Sequence, residues 1–211
     1  MKKVLLGLAA LSAVSFAAQE DTYLNARFGG DLGASYTKYE SEGTTILNDE
    51  TDGFGGELAL EGYKSLTDNF DLGLGLAYQL HADRADAPIR TSSVSADYYG
   101  VEYNSVPVYL TAKYNFNLDS EIKPYLKANL GYSFNFDSSD IKVKGSVNDK
   151  ASTDVEDGLY WALGGGLEYR NFTVDLMYAV TTAESESKEA DIKEDNDYGR
   201  VVLSAGYRFD L

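Results

Sequence analysis

Chemistry in this chain would have to start from a short list of residues. His81 is its one histidine, Asp83 stands two positions on, and Ser92, Ser93 and Ser95 follow. A hydrolase needs a nucleophile, a base and a group that orients the base, all within reach of one another. Nothing in this spacing fixes that geometry. His81 therefore reads as a polar residue at the end of an element, and no catalytic residue and no enzymatic activity are expected. A second candidate is the acidic run over residues 184–197, which carries Glu184, Glu186, Glu189, Asp191, Glu194, Asp195 and Asp197. It lacks the Asp-x-Asp-x-Asp-Gly spacing of a calcium loop, so it reads as a solvated connection. The chain has no cysteine, which removes disulfides and thiolate metal sites. Phosphate loops, zinc spacings and nucleotide fingerprints are also missing from the sequence, so no cofactor and no metal are expected. A net charge of -16 argues against nucleic acid, which selects a positive footprint.

A third set of charges is scattered but regular: Arg27, Asp31, Glu57, Glu61, Asp71, Lys113, Lys127, Glu168, Arg170, Asp175, Arg200 and Arg208. They recur at alternate positions inside apolar segments. Such charges matter only if the side that carries them is enclosed, so the elements that hold them decide their meaning.

The chain opens with Lys2 and Lys3, an apolar run from Val4 to Leu11, and the small residues Ser15, Ala17 and Ala18. That is the layout of a cleaved secretory signal, with residues 1–17 as the signal and 18–211 as one domain. Beyond residue 18 no apolar run reaches the length of roughly 20 residues that a helical span requires. An exported chain without such a helix is either soluble or a closed barrel, the one other structure that can cross a bilayer. Composition favours the barrel: Tyr 17, Phe 9 and Gly 20 are high and Pro 3 is low.

Alternation with a period of two runs through eight segments. The clearest sets Phe70, Leu72, Leu74, Leu76, Tyr78 and Leu80 against Asp71, Gly73, Gly75, Ala77, Gln79 and His81. The others lie at about 24–36, 54–63, 106–116, 125–134, 159–170, 172–181 and 200–211. Their lengths suit tilted membrane strands. The connections alternate between short (65–69, 117–123 and near Asn171) and long (38–53, 82–105, 136–157 and 183–197). Short turns on one rim and long loops on the other predict an all-β fold, an eight-stranded antiparallel up-and-down transmembrane β-barrel.

Alternation alone does not say which side faces out. Eight strands enclose little more room than side chains fill, and the apolar side carries several aromatics per strand, whereas the other side is rich in Gly, Ala and Ser. The apolar side is therefore expected outside. Along the up-and-down path its aromatics fall into two belts, as amphipathic rings do at bilayer interfaces. Phe70, Phe116, Tyr169, Phe172, Tyr207 and Phe209 lie toward the short turns, and Tyr36, Phe54, Tyr78, Tyr132, Phe134, Trp161 and Tyr178 toward the loops.

The stretches Val106-Pro107-Val108-Tyr109-Leu110-Thr111-Ala112-Lys113-Tyr114-Asn115-Phe116 and Lys123-Pro124-Tyr125-Leu126-Lys127-Ala128-Asn129-Leu130-Gly131-Tyr132-Ser133-Phe134 resemble the fourth and fifth strands of the outer-membrane β-barrel family that includes OmpA-like transmembrane domains and opacity-type small barrels. The ending Ala205-Gly206-Tyr207-Arg208-Phe209-Asp210-Leu211 is similar to that family's assembly signal, with Leu211 where the family usually has Phe. The resemblance implies a place in a bacterial outer membrane, contact with its lipids and lipopolysaccharide, and insertion by the barrel-assembly machinery through the last strand. The chain leaves no room after Leu211 for a peptidoglycan-binding domain, so cell-wall anchoring is not implied.

Three functions remain open on these grounds. The lumen charges could form a structural plug in a barrel that stabilises the membrane and presents acidic loops to extracellular partners. They could instead line a narrow pore of a minor porin, with acidic loops favouring cations at its mouth. A membrane-embedded lipid-modifying enzyme is the third. Loose divalent bridging from the loops to lipopolysaccharide phosphates fits any of them.

Overall fold

The computed structural model describes residues 21–41, 44–47, 49–85, 87–90, 95–99, 101–136, 141–145, 149–151, 153–187 and 192–211. The expected signal segment, Ser92 and Ser93 lie outside the described residues.

Eight strands form the barrel: β1 (Thr22–Tyr36), β2 (Gly56–Thr67), β3 (Phe70–Leu80), β4 (Asn104–Asn115), β5 (Ile122–Phe136), β6 (Gly158–Tyr169), β7 (Phe172–Thr181) and β8 (Tyr198–Asp210). Each pairs antiparallel with its sequence neighbours, and β1 pairs with β8 to close the ring. Closure leaves no unpaired edge to face hydrocarbon. The chain ends meet at the seam, where the Leu211 N–H donates to the Thr22 carbonyl at 3.2 Å.

Alternation sorts the side chains as expected. Leu130 is 62% exposed and Leu163 61%, while Glu61 and Asp175, on the opposite side, are 0% exposed. A water-soluble fold would invert that ratio. The outward Leu, Val, Phe and Tyr side chains form the band that a bilayer covers.

The wall departs from strict alternation at one place. Pairing of β1 with β8 runs from Tyr23↔Asp210 to Asp31↔Val202 and resumes at Gly33↔Val201, leaving Leu32 as a bulge. An extra residue reverses the parity of everything after it. Before the bulge Phe28 points outward, as does Leu32 itself; beyond it Tyr36 is only 3% exposed. Tyr36 is thus a lumen residue and not part of the loop-side belt.

Arg170 also departs from its expected place. It occupies the two-residue turn between β6 and β7 with φ 56, exposed, its guanidinium 5.1 Å from the centre of the Tyr169 ring. The alternating pattern of β6 runs one residue past the strand's end, which is why the sequence put Arg170 in the lumen.

The long connections are not plain coil. Strands Ala87–Arg90, Ser95–Tyr99, Ile141–Gly145 and Asp149–Ala151 make a four-stranded sheet from the second and third connections. Thr153–Val155, Glu184–Ser187 and Ile192–Asp195 make a three-stranded one. The acidic run read as solvated coil therefore contains a hairpin in its described part.

Candidate functional site: the charged lumen

The interior is filled by tyrosines as well as charges. Tyr23, Tyr63, Tyr109, Tyr125 and Tyr160 are all buried on the lumen side. Glycines paired with them on the neighbouring strands make the room. A Cβ on Gly75 would lie 2.3 Å from the Tyr109 ring, and one on Gly166 would lie 2.6 Å from the Tyr125 hydroxyl. These inward tyrosines share the side that the sequence pattern assigns mainly to Gly, Ala and Ser. Their signal was present, since each stands at a polar-side position of its strand.

At mid-height Glu61 of β2 is the hub. Lys127 of β5 donates to it at 2.6 Å, the Arg27 Nε of β1 at 3.2 Å, the Tyr109 hydroxyl of β4 at 2.8 Å and the Tyr63 hydroxyl at 3.0 Å. Glu57, four residues earlier on β2, takes Arg27 and Arg200 together, and the Gln79 amide at 3.3 Å. Arg27 bridges the two carboxylates and also reaches the Ser204 hydroxyl at 3.1 Å. Lys127 lies 4.0 Å from Asp175, which accepts the Tyr125 hydroxyl at 2.8 Å. Seven of the eight strands are thus tied into one network across the bore. Charges this deep must be paired and hydrogen-bonded, because desolvation otherwise outweighs their attraction.

Toward the short turns a second cluster closes the bore. Lys113 bonds Glu168 at 2.7 Å and sits over the Tyr125 ring at 4.2 Å. Arg208 reaches Glu168 at 3.3 Å and Asp210 at 2.7 Å, and lies 3.8 Å over the Tyr23 ring. Among the described residues Asp71 makes no ion pair; the Tyr23 hydroxyl and the Asn115 amide both donate to it at 2.8 Å.

Toward the loops Arg200 pairs with Asp31 at 3.0 Å, and the Tyr198 hydroxyl donates to Asp31 at 2.8 Å. Above them Tyr36, Tyr103, Tyr198 and His81 pack together, with His81 stacked on Tyr198 at 4.0 Å. Tyr103 and Tyr198 lie at strand starts that the sequence reading did not include, and only the bulge brings Tyr36 to them.

Of the twelve charges named from sequence, eleven stand in or at the ends of the lumen and Arg170 does not. Six of the eleven are carboxylates (Asp31, Glu57, Glu61, Asp71, Glu168, Asp175) and five are cations (Arg27, Lys113, Lys127, Arg200, Arg208). The lumen is near neutral, so the net charge of -16 resides elsewhere. The outward aromatics of the two belts, Tyr36 excepted, stand on the outer face.

One arrangement has the appearance of a catalytic pair. The Ser105 hydroxyl lies 3.1 Å from His81 Nε2. It also donates to the Gln79 carbonyl at 2.9 Å, so it accepts from the ring and does not yield its proton to it. Both residues are buried, and Asp83, two positions along the chain, is exposed. Among the described residues no group of His, Asp and Glu is placed to hold a metal ion.

The family model described as the outer membrane protein beta-barrel domain matches residues 5–209. The chain belongs to this family. Membership supports a bacterial outer-membrane location. An uncharacterized protein of Pasteurella multocida (strain Pm70) is 28% identical over 239 residues, covering 99% of this chain and 98% of its own. Among solved structures, the outer membrane protein OprG from Pseudomonas aeruginosa is 16% identical at a TM-score of 0.49, covering 90% of this chain and 96% of that one. Neisserial surface protein A is 12% identical at a TM-score of 0.46, covering 90% and 98%.

Proposed function

We propose that this protein is a closed outer-membrane barrel with a structural and surface-interaction role, and not a channel or an enzyme. The observation that carries this reading is the mid-height knot of Glu57, Arg27, Glu61 and Lys127, whose side chains are at most 1% exposed. An aqueous pore would hydrate these groups; instead each is satisfied by another side chain. Buried His81, already bonded through Ser105 to Gln79, offers no route for a substrate. In this reading residues 1–17 direct export and are removed, the last strand engages the assembly machinery, and the acidic loops meet extracellular partners or, through divalent ions, lipopolysaccharide phosphates.

Planar-bilayer recording of the refolded protein tests the proposal. We expect no steady open level at neutral pH. Stable unitary steps that scale with salt concentration would favour the minor-porin reading.

A further inference from the structure

His81 sits where the barrel meets its loops, and its surroundings make it more than a rim residue. The ring lies flat on Tyr198 at 4.0 Å and edge-on to Tyr103 at 4.7 Å. The next residue, Ala82, is held at both ends: its N–H donates to the Tyr198 hydroxyl at 3.0 Å, and its carbonyl accepts from Tyr36 at 3.1 Å. Two residues further, Arg84 lies over the Tyr36 ring at 4.5 Å, donates to the Thr37 carbonyl at 3.1 Å and bonds the Asn196 side chain. Asn196 in turn donates to the Val101 carbonyl at 3.2 Å and the Ser185 hydroxyl at 3.0 Å. The roots of the first, second and last long connections are therefore fastened together over the bore, with His81 beneath them.

Ser105 donates to Gln79, an arrangement that suits a neutral ring with the proton on Nε2, facing Ser105. A second proton would go to Nδ1, a buried atom without a hydrogen-bond partner. Burial, and then the Arg200 charge below, hold the imidazole well under its ordinary value of 6.5; the Tyr103 backbone is the one group that favours the charged form. The facing groups of the other elements give no relief. On β1, Asp31 is taken by Arg200 and Tyr198, and Tyr36 bonds Ala82; on β2, Glu57 is taken by both arginines. Asp83, Glu102 and Asp197 stand at the same rim and are not among the groups that shift the ring.

We propose that His81 is an acid-released latch: its protonation unseats Ala82 and Arg84 and frees the loop cap, while the barrel below stays folded. The sign follows from linkage. At neutral pH the ring is uncharged in both the latched and the released state and favours neither. Below pH 6.5 only the released ring takes up a proton readily, so release gains as pH falls. If the latched ring stays neutral down to pH 5, the released fraction rises about thirtyfold relative to pH 7.5. Acidification would thus change what the cell presents at its surface without opening the membrane.

The test is amide exchange of the refolded protein in micelles, expressed as protection factors to remove the intrinsic pH effect. Ala82 is expected to lose about thirtyfold in protection between pH 7.5 and pH 5, with β5 and β6 amides unchanged. In His81→Gln, which keeps a donor toward Ser105 but cannot charge, the loss should shrink to under twofold. Equal acid loss in both proteins overturns the proposal and assigns the effect to carboxylates. NMR of the single imidazole supplies a readout that needs no variant. The imidazole should titrate well below pH 6.5, displaced by as much as the latched state is favoured, and titration near pH 6.5 with Ala82 still protected also overturns the proposal.

Discussion

Glu61→Gln probes the lumen knot most directly. The substitution preserves shape and one acceptor oxygen but removes the charge that holds Lys127 at 2.6 Å and Arg27 at 3.2 Å. Removing one partner of a buried ion pair costs about 3–5 kcal/mol, mostly from the charge left behind. Here the residue is compensated in part, because Arg27 keeps Glu57 and Lys127 has Asp175 at 4.0 Å. The lower end, about 3 kcal/mol, is therefore expected, a shift on the order of a hundredfold in the unfolding equilibrium. Lys127→Met should cost a similar amount by stranding Glu61. The double variant should cost less than the sum by more than about 2 kcal/mol, since a pair replaced by uncharged groups leaves no unpaired ion. Urea titration in micelles can follow this through Trp161, the chain's one tryptophan, whose outward ring packs against Tyr178 and not against the knot. Single-variant costs under about 1 kcal/mol, or strictly additive ones, would refute the view that these charges are desolvated and coupled.

Two further perturbations address how the lumen is packed and which way the first strand turns. Gly75→Ala places a methyl 2.3 Å from the Tyr109 ring, and overpacking of this kind costs about 1–3 kcal/mol; combined with Tyr109→Ala, the double variant should lose less than the sum of the two single losses in a folded-fraction gel assay. Tyr36→Trp and Tyr178→Trp, each made with Trp161→Phe, should respond oppositely to brominated lipid. Emission from position 178 should be quenched and emission from position 36 should not, and equal quenching would mean that the bulge at Leu32 does not reverse the strand's face.

Much of this molecule follows from local rules. Side chains alternate across a strand whatever the strand pairs with, so the eight segments, their two faces, and the order of short turns and long loops can all be read from residues such as Leu72, Leu74 and Leu76 opposite Asp71, Gly73 and Gly75. The lumen charges are visible for the same reason. Partner choice is a different kind of fact. That Arg27 joins Glu57 to Glu61, that Lys127 reaches Glu61 across the bore, and that Tyr109 fits over Gly75 all depend on barrel closure and on the register between strands far apart in the chain. One unpaired residue, Leu32, shows the limit most plainly. Nothing in the alternation around it marks a bulge, yet it turns Tyr36 from the lipid side to the interior and so completes the cluster over His81. Periodicity is fixed by each residue's own backbone, whereas register is fixed only when every strand has met its neighbour.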